Sequence, residues 1–588
     1  MKCNFPCILF VAVCAIASCG PRETCPAVVE SVATLAPSAS ATPPPDRSPV
    51  AAPANLVFEA TINQARFGPD LATSLGLPTP DSQMLTIALL GGNVGPIVDT
   101  EQPIFAAAKI VADLDTPFSW AVSIPVIAFD IAKERIERAY ELVKKLDGSY
   151  RLEAKPTADT SAEVVDSPSP KLEYTIPRKH FTCELAPAAK SAWRLVCGEN
   201  EPSVIALGPY LTRTMPLTEI AGAAKVVFHP DPVRAAGWIA RAFAEASMSG
   251  DPDFSSYEQW VNDLDQIEAT VGDWKSPRLL IVSRLRSTAS KFAEIAIDDT
   301  TLGPPPRAFP AMPRDTKAAV YTHLRVGHEL AAIFSARERK GDLGISTTDS
   351  KRFTQLLEAT GSADSTTFAW LPGPRYAGTF TLVLEGDDKK IMGSWMNAIP
   401  ALNQLAQPRG NSATRKVSAL VTLGKLAAGV PPGSLHIVLS RVPYQWSPPP
   451  TDAEDVIPSG KPAKLKLEEV AHLYIVANAL GKGTVAFVLG DTDAEALSAM
   501  ERVHGSVAKV ATAPGAASLM NERSASGGIA LASSGGAPFT FFTDANRANK
   551  THTIHIDLPP EHVRDALREL TKIIFGSARV VARRFGMP

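Results

Sequence analysis

The feature that most limits what this chain can fold into is a strand-turn-helix pattern that recurs at a long, nearly constant offset. Phe118-Ser-Trp-Ala-Val-Ser-Ile124 alternates apolar and polar residues, as a half-buried strand does. Ile136, Tyr140, Val143 and Leu146 follow at helical spacing, with Gly148 as the stop. A second unit reads Val226-Val-Phe228, with Asp231 as a helix cap and Pro232 in the first turn. A third runs from Leu279 to Leu285 and on to Phe292 and Ile295. The three reappear downstream. Thr379 to Leu384 precedes Asp387-Asp388 and a helix through Trp395, and Val485 to Leu489 precedes Asp491-Thr-Asp493, Leu497, Met500 and Val503. Ile554 to Leu558 then precedes Pro559-Pro560, Val563, Leu567 and Leu570. The first two pairs are offset by about 260 positions and the third by somewhat more, which is what a duplicated domain produces.

The expected fold class is therefore α+β: two related domains of mixed or antiparallel sheet, with helices packed on one face, after a disordered N-terminal tether. The first domain is expected over 56–302, a Pro-rich linker over 303–313, and the second domain over 314–588. Pro156 to Pro170 and Pro443 to Pro462 read as long surface loops.

The N-terminus carries a different signal. Lys2 precedes a short apolar run, Ile8 to Ile16, which ends in Ile16-Ala-Ser-Cys19. The run is much shorter than the ~20 residues of a membrane-spanning helix. A charged start, an apolar middle and a small-residue end read as a signal peptide over 1–18. The ending resembles the bacterial lipobox, which implies lipidation of Cys19; an ordinary signal cleaved without lipidation is the alternative. Gly20 after the cysteine implies sorting to the outer membrane, facing periplasm or surface. Cleavage removes Cys3, Cys7 and Cys14, and with Lys2 one positive charge from a net charge of −3. Residues 19–55 are rich in Pro, Ala and Ser, cannot bury a core and are expected to form an extended tether. Cys25 within it reads as a free thiol or an intermolecular partner.

Cys183 and Cys197 lie in two strand-like segments, Phe181 to Leu185 and Arg194 to Gly198, that read as a hairpin. In an exported protein this favours a disulfide between them, with two buried thiols or a pairing with Cys25 as alternatives. Without a nearby histidine pair they do not make a zinc site.

Tests for chemistry return little. His323 and His328-Glu329 lack the H-E-x-x-H spacing. His552 and His555 are three apart in a strand and point to opposite faces, His552 partly buried with Ile554 and His555 toward water. Asp251-Pro-Asp253 and Asp491-Thr-Asp493 lack the later ligands of a calcium loop, and the latter pair reads as helix N-caps. Gly481-Lys-Gly-Thr484 lacks the first glycine of a P-loop and reads as a hairpin turn. No catalytic, cofactor or metal residues are assigned. With no basic excess, nucleic acid is not an expected partner; Arg579, Arg583 and Arg584 read as a solvated helix face.

The segments Cys183-Glu-Leu-Ala-Pro, Arg194-Leu-Val-Cys197-Gly and Leu207-Gly-Pro-Tyr-Leu-Thr-Arg213, with Pro304-Pro-Pro to Phe309 and Asp315, are similar to uncharacterised lipoproteins of deltaproteobacterial cell envelopes. That resemblance implies the envelope location and the duplicated body, and no activity. The expectation is a membrane-anchored binding or scaffolding module for an envelope protein, glycan or lipid. The alternatives are a lipid-anchored hydrolase with dispersed residues and a periplasmic carrier of an apolar ligand.

Overall fold

The computed structural model describes residues 45–64, 96–111, 118–155, 181–219, 222–235, 262–272, 278–324, 346–371, 379–406, 419–441, 467–505, 507–513, 516–530 and 538–559, with a few single positions between them. The expected signal peptide over 1–18, Cys19, Cys25, His328, Asp251, Asp253, Val563 and the C-terminal arginines lie outside the described residues. No helix among the described residues is long and apolar enough to cross a membrane.

The chain divides into two compact units, 1–69 with 80–220 and 70–79 with 221–588. The first holds β1 (Leu56–Ile62), β2 (Ile104–Ile110), β3 (Phe118–Pro125), β4 (Tyr140–Lys144), β5 (Tyr150–Ala154), β6 (Thr182–Pro187) and β7 (Trp193–Gly198). Antiparallel pairing orders them β1-β2-β3-β7-β6-β5-β4. The centre of the sheet is buried on both faces: every residue of β7 after Trp193 is buried, and all but Arg194 are apolar or glycine. Val196 packs with Val204 and Leu207 of the helix Glu201–Pro209. Leu195 and Cys197 pack with Ala132 and Ile136 of the helix Phe129–Ile136. Cys183 and Cys197 stand directly opposite each other in the β6–β7 ladder at disulfide distance, Cα to Cα 4.1 Å, inside that second cluster.

The second unit holds β8 (Ala224–Phe228), β9 (Leu264–Val271), β10 (Arg278–Leu285), β11 (Ala318–Thr322), β12 (Ser365–Leu371), β13 (Thr379–Glu385) and β14 (Ala419–Leu423). It continues with β15 (Leu435–Arg441), β16 (Glu468–Ala477), β17 (Thr484–Gly490), β18 (Ser526–Ala530), β19 (Phe539–Asn546) and β20 (Thr551–Asp557). The order is β8-β9-β10-β20-β19-β18-β11-β12-β13-β17-β16-β15-β14, antiparallel throughout. Along β16 and β17, Tyr474, Val476, Ala486 and Val488 face one core with Ala496, Met500 and Val503. Leu473, Ile475, Val485 and Phe487 face the other, with Ile391, Trp395 and Ile399 of the helix Asp388–Ala406.

The expected α+β pair of related domains is corrected. Among the described residues strands make up 40% against 29% helix, and the twenty described strands form antiparallel sheet throughout. β10 and β20, which the offset sets as equivalents in separate domains, are hydrogen-bonded neighbours in one sheet. One expected helix is a strand. The helix Phe129–Ile136 ends where the long helical spacing was to continue, and Tyr140 to Lys144 pair with β5 instead. Tyr140 and Leu142 then face the core by period two, while Leu146 is fully exposed.

Two segments read as connectors carry packing. Phe309 and Met312, within 303–313, are fully buried in the core of the second unit. At the C-terminal end of the expected tether, Arg47 donates to the carbonyls of Ala188 and Ala192, Asp46 pairs with Arg213, and Val50 exchanges hydrogen bonds with Thr214.

Candidate functional site

Three ligand-type side chains converge at one edge of the second unit, and β15, β16 and one helix place them. In the antiparallel register His436 lies opposite Tyr474 and Val438 opposite His472. Side chains two apart share a face. His436, His472 and Tyr474 therefore stand together on the face of Val476 and Val488. The His436 ring stacks on Tyr474 at 4.3 Å and 8°, and lies 5.5 Å from the His472 ring. Both imidazoles are buried, at 6% and 5% exposure.

The third group arrives from β17. Gly490, at the end of that strand and opposite His472, has no side chain. A Cβ there would meet the Ala496 backbone nitrogen at 2.7 Å, so the chain can fold back into the helix Asp493–His504 directly over the imidazoles. Thr492 caps this helix by accepting from the Glu495 amide at 3.3 Å. Asp493, expected as a cap, instead turns its carboxylate into the cluster, and that expectation is corrected. Its Oδ1 lies 3.6 Å from His436 Nε2 and 3.9 Å from His472 Nδ1. His436 Nε2 and His472 Nδ1 are 3.2 Å apart. The three donor atoms fall within 4.8 Å of one another, which makes the group able to hold a cation.

Polar partners surround the cluster. His436 Nδ1 lies 2.7 Å from the Lys425 carbonyl, and His472 Nε2 lies 3.5 Å from Glu469 Oε2. Tyr474 donates its hydroxyl to Asp493 Oδ1 at 2.6 Å. Burial, and then that carboxylate, push the Tyr474 hydroxyl well above its usual value, so it stays a protonated donor. The Asp493 side chain is 47% exposed and forms the solvent-facing side of the cluster.

The residues singled out in the sequence lie elsewhere. His323 Nε2 pairs with the Pro304 carbonyl at 2.9 Å, a local structural role. His552 is half-buried on β20, and burial lowers its imidazole below 6.5, with Asp544 opposing. His555 does not face open water as expected: it is half-buried and stacked on Phe542 at 4.3 Å and 8°. Gly481 and Gly483, both at positive φ, form the turn between β16 and β17, as expected. Sequence reading missed His436 and His472 altogether. Their one local signal is His472-Leu-Tyr474, two polar aromatic residues on one face of an otherwise apolar strand.

No family model, curated protein or solved structure matches this chain.

Proposed function

We propose that this chain is a lipid-anchored binding module of the bacterial cell envelope, held through Cys19 and binding its ligand at the His436, His472 and Asp493 cluster. The observation that carries the reading is the convergence of two buried imidazoles and a half-exposed carboxylate at the edge of an apolar core. Burying polar rings is costly unless they are satisfied, so a cluster that faces solvent on one side is suited to a ligand that completes it. The anchor and the Pro-rich tether support the location.

Two measurements test this. Cell fractionation should find the wild type in membranes and Cys19→Ala in the soluble fraction; a membrane-bound Cys19→Ala removes the anchor from the reading. Native mass spectrometry of detergent-extracted protein should show a bound non-protein mass that Asp493→Asn loses. A bare mass in the wild type removes the binding role.

The same convergence favours, second, a lipid-anchored hydrolase. Hydrolysis of an ester or phosphoester panel by the wild type, abolished by His436→Gln with the fold intact, selects that alternative.

A further inference from the structure

We infer that the ligand of this cluster is one divalent transition-metal ion of the zinc class, bound by His436 Nε2, His472 Nδ1 and Asp493 Oδ1; the inference rests on the proposed binding role and names its ligand.

The first argument is donor and acceptor accounting. The Lys425 carbonyl can only accept, so His436 Nδ1 at 2.7 Å carries the hydrogen. The Glu469 carboxylate can only accept, and it faces His472 Nε2 at 3.5 Å, which is the place for that ring's hydrogen. In the neutral rings both inner nitrogens then present lone pairs to each other across 3.2 Å, with the Asp493 oxygen beside them. Three acceptors thus point at one small space. The Tyr474 hydroxyl satisfies the Asp493 oxygen alone, and one shared proton satisfies only the contact between the rings. A dication satisfies all three.

The second argument is size. With separations of 3.2, 3.6 and 3.9 Å, the nearest point equidistant from the three atoms lies in their plane about 2.1 Å from each, the bond length of zinc to imidazole nitrogen and carboxylate oxygen. Calcium needs six to eight oxygens at longer distances, and magnesium prefers oxygen ligands in an octahedron. Two imidazoles with one carboxylate suit zinc, cobalt, nickel or copper.

The third argument is the surround. Metal-bound histidines give their outer N–H to a carbonyl or carboxylate, which orients the ring and strengthens it as a ligand. Lys425 and Glu469 stand in those two places. Three protein ligands leave a fourth position, on the side where Asp493 meets solvent. That is the pattern of a site that exchanges ligands, not of a closed structural centre.

The test uses the full chain in detergent, freed of metal with a chelator and labelled at histidine for NMR. Zn2+ should shift the His436 and His472 resonances and saturate at one ion per chain, while Mg2+ and Ca2+ leave them in place. Asp493→Asn and Glu469→Gln, both at exposed side chains that keep the fold, should weaken Zn2+ binding by at least tenfold; His472→Gln should weaken it by a hundredfold or more. Two results overturn the inference: wild-type rings that Zn2+ does not move, and Zn2+ affinity indifferent to both exposed variants. Rings that respond to Ca2+ but not Zn2+ overturn the metal class and leave the binding module standing. A bound mass in native spectra with silent rings does the same.

Discussion

The ring of His436 occupies the space where a side chain on Gly424 would be. A Cβ at that position would come within 2.5 Å of His436 Nδ1 and 2.9 Å of the Val438 side chain, while the Gly424 amide bonds the His436 carbonyl at 2.8 Å. Gly424→Ala should therefore tilt the ring off the Lys425 carbonyl and destabilise the second unit by about 1–3 kcal/mol, the usual cost of overpacking. Denaturant unfolding checks this, with an unchanged midpoint as the contrary result. A second residue-scale effect concerns acid. Burial lowers the imidazoles of His552 and His504 below 6.5 in the folded state. The unfolded chain then binds protons first on acidification, so their contribution is fully present above 6.5 and is lost as pH falls below it. Melting temperature should drop between pH 7 and pH 5, and His552→Leu should flatten part of the drop. A flat profile in the wild type contradicts the assignment.

At the scale of elements, the strands with clear alternation were readable from sequence. Phe118 to Ile124, Thr379 to Leu384 and Val485 to Leu489 fall inside β3, β13 and β17. The hairpin around Cys183 and Cys197 was readable too, because two short apolar runs flank a turn. Closing that hairpin should stabilise the first unit by about 3 kcal/mol. Reductant, or Cys183→Ala with Cys197→Ala, should lower its unfolding free energy by that amount, and an intact mass that does not rise by two hydrogens on reduction excludes the bond. Spacing failed where two periods competed. Ile136, Tyr140 and Val143 fit a helix, yet Tyr140 and Leu142 also fit a strand, and pairing with β5 decided between them. The last turn before a helix misled as well: Asp491, Thr492 and Asp493 all suit a cap, and only the geometry selects Thr492 and frees Asp493.

At the scale of the molecule, the described end of the N-terminal tether is part of the first unit. Arg47 reaches the Ala188 and Ala192 carbonyls, and its guanidinium lies 6.0 Å over Trp193. Nothing in a Pro-rich composition reports such docking. Arg47→Ala should free residues 45–55 and make them the earliest site of limited proteolysis, with little change in global unfolding. Cleavage at the wild-type rate means that Arg47 does not hold the segment.

The sequence by itself determined the strands whose apolar residues alternate and the cysteine hairpin, because each is written in neighbouring residues. Only the tertiary structure decided the antiparallel order of the sheets and the cluster at their edge. His436 and His472 are 36 positions apart, and Asp493 lies beyond a further strand and turn. Register brings the two imidazoles together, and the fold-back after Gly490 brings Asp493 within 3.9 Å of them. Pairing in a sheet depends on which strands find each other in space, and no local pattern encodes that.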